Sequence, residues 1–210
     1  MKPLLPVLLV ALLLASCAAP VAQQDGALAS TAVCCKSLSE FSYSSLPPGR
    51  AETLRLDASS RAFEFPTGKS YFAAFKLEPK ANRQINIESN FNGQLIGQYL
   101  HPILTFLDAQ HQPVATLAPR LEFVNAKVIP YTVAHMEGIA DVPDKAQYVV
   151  VHTGRLQEAP AVASTRPSMS MFMMGTTPVV VPTGGGGRKL ERSPTGELKL
   201  QLLDDSSRRR

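Results

Sequence analysis

Two of the three cysteines in this 210-residue chain, Cys34 and Cys35, stand next to each other. Adjacent thiols can bond to one another in a tight ring, bond to another chain, or stay reduced. Zinc sites usually combine closely spaced cysteines with further Cys or His ligands, and here the histidines are isolated singletons: His101, His111, His135 and His152. The pair therefore predicts a local redox or structural role, with a Cys34–Cys35 disulfide as one alternative, and the sequence predicts no metal site.

The third cysteine, Cys17, closes a segment that has the features of an export signal. Lys2 precedes an apolar run from Leu4 to Leu14, and small residues then lead into the cysteine. The ending Leu-Ala-Ser-Cys17 resembles a bacterial lipobox, which implies cleavage after residue 16 and lipidation of Cys17. Acyl chains would then hold the protein on a membrane without a spanning helix. The alternative is an ordinary secretory signal that happens to be followed by a cysteine.

By the same resemblance, Ala18 directly after the cysteine implies the outer membrane, with the domain facing the periplasm. The chain carries a formal charge of +4, and its basic residues are scattered except at the C-terminus, so nucleic acid is not an expected partner. The expected partners are the membrane, through the lipid anchor, and a carbohydrate or an envelope protein.

Motifs for catalysis and for cofactors are missing from the sequence. It has no G-x-S-x-G nucleophile turn, and the four glycines before Arg188 and Lys189 lack the spacing of a phosphate-binding loop. Carboxylates that could pair for glycoside chemistry fall mostly at strand ends or on polar faces, where solvation is the simpler explanation: Glu64, Glu78, Glu88, Asp108, Glu122, Glu137, Asp141 and Asp144. The sequence therefore predicts a protein that is not an enzyme, with no catalytic residues and no cofactor.

Residues suited to sugar binding are present without forming a clear pattern. Trp is absent, so the candidate stacking platforms are tyrosines: Tyr71, Tyr99, Tyr131 and Tyr148. His135 and Glu137 are two positions apart on a predicted strand, so they share one face and could pair. The methionines between Met169 and Met174 could bind a soft metal, but packing of that segment onto the domain is the favoured interpretation.

The elements that must position these residues are strands. Apolar side chains alternate with polar ones in short runs separated by turn residues, and the connections are too short for parallel crossovers. This pattern predicts an all-β fold, an antiparallel β-sandwich of the jelly-roll type, with a long flexible loop before the last strand. The predicted strands cover about 52–57, 62–65, 69–77, 83–88, 102–107, 114–117, 121–124, 131–139, 147–153 and 197–202.

Five segments follow from composition and periodicity. We expect a signal peptide over 1–16, a flexible Ala/Gln/Ser-rich tether over 17–35, the sandwich over 36–205 and a basic tail over 206–210. Within the domain, residues 155–188 are rich in Pro, Met and Gly without any period, which predicts the flexible loop.

Several of these runs also resemble the ordered blocks of the maltose operon periplasmic protein family. The resemblance rests on residues 63–77, 102–108, 135–139, 148–153 and 195–200, in this order. It implies a β-rich periplasmic protein that is accessory to maltose or maltodextrin transport, with no catalytic residues to carry over. The sequence thus predicts a non-catalytic outer-membrane lipoprotein accessory to carbohydrate transport. The alternative is a structural envelope lipoprotein that binds a protein partner or peptidoglycan.

Overall fold

The computed structural model describes residues 18–78, 83–92, 97–126, 131–154, 162–164, 169–174, 177–182 and 189–203. The predicted signal peptide, Cys17, the four-glycine run at 184–187 and the basic tail at 206–210 lie outside the described residues.

The described elements are one α-helix, a 3₁₀ turn at Leu38–Glu40 and a series of strands. The helix is α1 (Val21–Ser30). The strands are β1 (Ser44–Leu46), β2 (Ala51–Leu56), β3 (Ala62–Phe65), β4 (Gly68–Leu77), β5 (Gln84–Asn90), β6 (Gln98–Leu100), β7 (Ile103–Leu107), β8 (Pro113–Leu117), β9 (Glu122–Val124), β10 (His135–Asp141), β11 (Tyr148–His152), β12 (Val162–Ser164), β13 (Met169–Met174), β14 (Thr177–Pro182), β15 (Lys189–Ser193) and β16 (Gly196–Leu203).

Two sheets form the body of the domain. The first sheet has the order β1-β4-β11-β7-β8, with β3 also paired to β4, and the second has the order β2-β16-β5-β10-β9. Pairing within both sheets is antiparallel apart from the parallel edge pair β1 and β4. The all-β prediction is confirmed, and β7 and β8 form an antiparallel hairpin.

The core lies between the two sheets because alternate residues of each strand point inward. From the second sheet these are Leu54, Leu56, Ile85, Ile87, Leu198, Leu200 and Leu202, and from the first Tyr71, Phe75, Leu77, Leu104, Phe106, Val149 and Val151. Each of these side chains is nearly or fully buried, and burying one aliphatic side chain contributes about 1.5–3 kcal/mol.

A second apolar layer covers the outer face of the first sheet. Phe41, Phe65 and Phe72 pack there with Val150, and Cys35 belongs to the same cluster. The Phe41 and Phe72 rings are stacked with their centroids 4.0 Å apart. Strand β11 is therefore buried on both faces, as its run of valines predicts.

The expected flexible tether over 17–35 is wrong for its described part. Residues 21–30 form α1, whose Gln24 and Leu28 are buried one helical turn apart on the domain surface. Ala and Gln are good helix formers, so the composition that suggested a linker is equally compatible with a helix once a buried face exists.

The expected long loop over 155–188 is also corrected, because its described parts are strands. Strand β12 pairs with β15, which pairs in parallel with β6, and β13 and β14 form a two-stranded hairpin. The run Met-Ser-Met-Phe-Met-Met over 169–174 alternates weakly in hydropathy, so its strand character comes from pairing with β14.

Candidate functional site

A cavity of about 430 Å³ opens where α1 meets the ends of three strands in the second sheet. Cavities that bind small molecules typically measure about 300–1,000 Å³. Its lining is unusually rich in amide and carboxylate side chains: Gln24, Asn90, Asn92, Asp57 and Glu197, together with Arg55 and Phe91, several small residues, Leu56 and Thr195.

Strand pairing brings the polar side chains of the cavity together. Glu197 in β16 stands opposite Arg55 in β2, and Asn90 ends β5 on the other side of β16. Asn90 Nδ2 donates a hydrogen bond to Glu197 Oε1 at 2.7 Å. Asn90 Oδ1 is buried without a hydrogen-bond partner among the described residues.

The second carboxylate, Asp57, is ionised at the mouth of the same cavity. Its pKa is lowered by hydrogen bonds from the Ser59 hydroxyl and amide, and by the nearby Arg55 guanidinium. Arg55 Nε lies 3.3 Å from Asp57 Oδ2. Arg55 pairs with Asp57, and Asn90 gives Glu197 a hydrogen bond without a charge, so the lining holds two carboxylates, one guanidinium and several amides.

The helix joins the cavity through Gln24. Gln24 Oε1 accepts hydrogen bonds from the hydroxyls of Ser193 and Thr195, and its Nε2 donates to Gln98 Oε1 at 2.9 Å and to the Ala19 carbonyl at 2.6 Å. The bond to the Ala19 carbonyl holds the start of the described chain at the cavity, which Ala18 and Ala19 both line.

Phe91 and Gly196 shape the apolar part of the cavity. The Phe91 ring is half-buried and rests on a small aromatic group, with its centroid 6.4 Å from Tyr99 and 5.9 Å from Phe123. A Cβ on Gly196 would come within 2.8 Å of Leu100 Cβ, so a larger residue could not begin β16 here without a shift. Glycine at this position lets the start of β16 lie close to Leu100 of β6.

The tyrosines proposed as sugar platforms lie elsewhere in the described part of the chain. Tyr71 is fully buried and Tyr99 is 2% exposed, so neither ring presents a face to solvent. Tyr131 is 80% exposed. Tyr148 packs against Tyr43 and His111, and burial together with Tyr148 raises the pKa of Tyr43 to about 12.

His135 and Glu137 have separate partners. His135 Nδ1 bonds to the Val133 carbonyl at 2.8 Å, whereas Glu137 Oε1 accepts from Asn86 Nδ2 at 3.2 Å. Among the described residues, no group of three or more His, Cys, Asp or Glu side chains is arranged to hold a metal ion.

Two other histidines are held neutral by burial. The pKa of His152 falls to about 3 because its ring is buried, where it stacks on Phe65 at 3.9 Å. Burial and then the Arg192 cation lower the pKa of His101 to about 4. Both rings are therefore neutral imidazoles at neutral pH.

Cys34 and Cys35 are joined in a disulfide, which is one of the alternatives left open by the sequence. Cys34 is exposed and Cys35 is buried, with Arg61 Nη2 donating to Cys35 Sγ at 2.8 Å. Cys17 lies outside the described residues, so its lipidation stays a prediction.

Sequence reasoning missed the residues of the cavity. These residues are far apart in the chain, and each lies in or directly after an element whose sequence pattern is explained by folding alone: Gln24, Asp57, Phe91 and Glu197. The one local signal is the run of Asn90, Phe91 and Asn92, which places an aromatic between two amides directly at a strand end.

No helix in the described portion of the chain is long and apolar enough to cross a membrane. Searches against protein families, curated proteins and solved structures find no match to this chain.

Proposed function

We propose that this protein is a non-catalytic, lipid-anchored accessory protein of carbohydrate transport, and that the cavity beside α1 binds the carbohydrate. The observation that carries the proposal is the polar lining of this cavity, where the Asn90 amide donates to the Glu197 carboxylate and Asp57, Asn92 and Phe91 line the same space. A sugar hydroxyl both donates and accepts, so it could donate to a carboxylate and accept from an amide N–H of this lining.

The balance of polar and apolar groups also suits a neutral sugar. Amides and carboxylates supply directional hydrogen bonds to hydroxyls, and the C–H face of a pyranose ring can pack on an aromatic side chain such as Phe91. Discrimination comes from the polar wall, because a ligand lacking the matching hydroxyl would leave buried groups unpaired.

The electrostatics favour binding over hydrolysis. A glycoside hydrolase needs a carboxylic acid that stays protonated, with its pKa raised above the usual range. The pKa of Asp57 is shifted in the opposite direction, which stabilises the carboxylate anion as a hydrogen-bond acceptor for hydroxyls.

The position of the cavity fits an anchored protein. Ala18 lines the cavity and follows Cys17 directly, and consecutive Cα atoms are about 3.8 Å apart. With acyl chains on Cys17, the cavity would lie at the periplasmic surface of the outer membrane, near sugars that enter the periplasm. The resemblance to the maltose operon periplasmic protein family makes maltodextrins the first ligands to test.

The test is a thermal melt of the full chain with maltotriose and other glycans. A ligand that binds the native state alone at 100 times its Kd stabilises it by about 2.7 kcal/mol. For a chain of this size the melting temperature should then rise by roughly 5–10 °C. Asn90→Ala and Phe91→Ala should abolish the rise.

Asn86→Ala is the matched control for the amide variant. Asn86 lies on the same strand and bonds to Glu137, but it does not line the cavity. Its variant should keep the full ligand shift, so loss of the shift in both asparagine variants would point to general destabilisation. A wild-type chain that shows no shift with any glycan would overturn the proposal.

An envelope protein partner is the second candidate. Apolar side chains are exposed around β10, where Tyr131 is 80%, Val133 47% and Ile139 55% accessible. Single exposed apolar residues are common on protein surfaces, so this group has weaker support than the cavity. If no glycan raises the melting temperature, cross-linking in intact envelopes tests this candidate. The wild-type chain should form a specific cross-linked adduct, and Ile139→Asp should lose it.

A further inference from the structure

We propose that the Cys34–Cys35 disulfide is a redox site that accepts two electrons from a dithiol, with Arg61 stabilising the sulfur that leaves. The site is distinct from the cavity, and none of its residues lines it. The inference therefore stands independently of carbohydrate binding.

The two sulfurs of the bond have different surroundings. Cys34 is exposed to solvent, whereas Cys35 is 8% exposed and packs in the apolar layer with Phe41 and Phe72. Cys34 is therefore the more accessible of the two cysteines to a thiolate arriving from solvent.

Arg61 makes Cys35 the better leaving group. Its Nη2 donates to Cys35 Sγ at 2.8 Å, and its Nη1 donates to Ser42 Oγ at 3.3 Å. The guanidinium also lies 5.9 Å from the centre of the Phe72 ring. A cation held against a sulfur favours the thiolate, and a stabilised thiolate leaves faster in disulfide exchange.

The backbone holds this arrangement in place. Cys34 N donates to the Ala62 carbonyl at 2.9 Å, and Val33 forms a parallel bridge with Ala62. Because Ala62 follows Arg61, the same strand end that positions the guanidinium also positions the cysteine pair. The other charged side chains on this segment are Lys36 and Glu40, both exposed, and Glu40 bonds to the Lys36 amide and the Ser37 hydroxyl.

The reaction proceeds in two exchanges. A thiolate of the dithiol attacks Cys34 Sγ, a new S–S bond forms, and the Cys34–Cys35 bond breaks with its electron pair leaving on Cys35 Sγ beside Arg61. The second thiolate of the dithiol then attacks the dithiol sulfur that is bonded to Cys34 Sγ. That bond breaks, and Cys34 leaves as a thiolate. The dithiol becomes a disulfide, and Cys34 and Cys35 gain two electrons and the two protons that the dithiol gives up.

The first experiment determines which sulfur is attacked. The full chain carrying Cys17→Ala, so that no third thiol is present, is treated briefly with glutathione, quenched with acid and alkylated. Tandem mass spectrometry that cleaves the peptide bond between the two residues should place glutathione on Cys34 and the alkyl group on Cys35. Glutathione on Cys35, or two alkylatable thiols before any reductant is added, would overturn the proposal.

The second experiment tests Arg61. In Arg61→Gln, reduction by dithiothreitol should slow by roughly threefold, and the pH at which half of the reduced Cys35 reacts with iodoacetamide should rise by about one unit. Arg61→Lys should restore part of both effects. Arg120→Gln is the matched control, because Arg120 is an exposed arginine paired with Glu122.

A purely structural arginine would give a different result. If Arg61 acted only through packing, Arg61→Gln would lower the melting temperature without moving the alkylation midpoint. Unchanged reduction rates and midpoints in Arg61→Gln relative to Arg120→Gln would rule out the proposed role.

Discussion

At the scale of single residues, His152 couples the stability of the fold to pH. Its Nε2 bonds to Thr105 Oγ1 at 3.0 Å, whereas its Nδ1 is buried without a partner. Burial lowers the pKa of His152 in the folded state to about 3, below the ordinary value of 6.5. The unfolded chain therefore binds more protons below pH 6.5, and the folded state loses stability as the pH falls from 6.5 toward 3.

Replacing His152 should remove this loss. Because the pKa of His152 falls from 6.5 to about 3 on folding, the free energy of unfolding of the wild-type chain should be roughly 2–3 kcal/mol lower at pH 4.5 than at pH 7.5. His152→Phe keeps an aromatic ring against Phe65 and leaves Thr105 bonded to Thr116. Urea unfolding at both pH values should show a smaller pH difference for the variant. Equal differences in the two proteins would contradict the assignment.

At the scale of elements, α1 is attached to the domain by one polar side chain and one apolar one. Gln24 bonds to Ser193, Thr195 and Gln98, and Leu28 joins the core cluster. Gln24→Ala removes these bonds and leaves buried hydroxyls with fewer partners, so it should cost about 1–3 kcal/mol. The melting temperature should fall by several degrees, and amide exchange in α1 should become faster.

Gln23→Ala is the control for that change. Gln23 is exposed on the same helix, so Gln23→Ala changes the intrinsic helix propensity as Gln24→Ala does and removes none of the bonds that Gln24 makes. It should leave amide exchange in α1 unchanged. A similar acceleration in both variants would mean that α1 is not attached through Gln24.

The strength of the local sequence pattern in each element explains which parts of the fold were predictable. Strands β5 and β16 alternate strictly between buried and partly exposed residues, and β2 buries Leu54 and Leu56 on either side of the exposed Arg55, so their period is visible in the sequence. Helix α1 buries two residues on a short Ala-rich segment, and β13 alternates weakly. Their conformations depend on contacts with residues distant in sequence, which a local pattern does not reveal.

At the scale of the whole molecule, the cavity was not predictable for a related reason. Its wall joins Gln24 from α1, Asp57 after β2, Phe91 after β5 and Glu197 in β16. Such a site exists only after the second sheet has formed and α1 has docked on it. The cysteine pair could be anticipated because adjacency alone brings its sulfurs together, whereas the contact with Arg61 required the fold.

Anchoring and ligand binding should be separable in the whole protein. Lipidation of Cys17 would bury acyl chains worth about 0.8 kcal/mol per CH₂ in the membrane, which predicts that the wild-type chain sediments with envelope membranes. Cys17→Ala should move the chain into the soluble fraction. It should retain any ligand-induced rise in melting temperature, because the described cavity begins at Ala18.

A second cysteine variant makes this test specific to position 17. The double variant Cys34→Ser and Cys35→Ser removes the disulfide but leaves Cys17, so it should still sediment with membranes. Release of both variants would attribute sedimentation to a general effect of cysteine loss, and retention of Cys17→Ala on membranes would refute the lipid anchor. Release of Cys17→Ala alone, with its ligand shift intact, would assign attachment to Cys17 and recognition to the cavity, whose lining includes the next residue, Ala18.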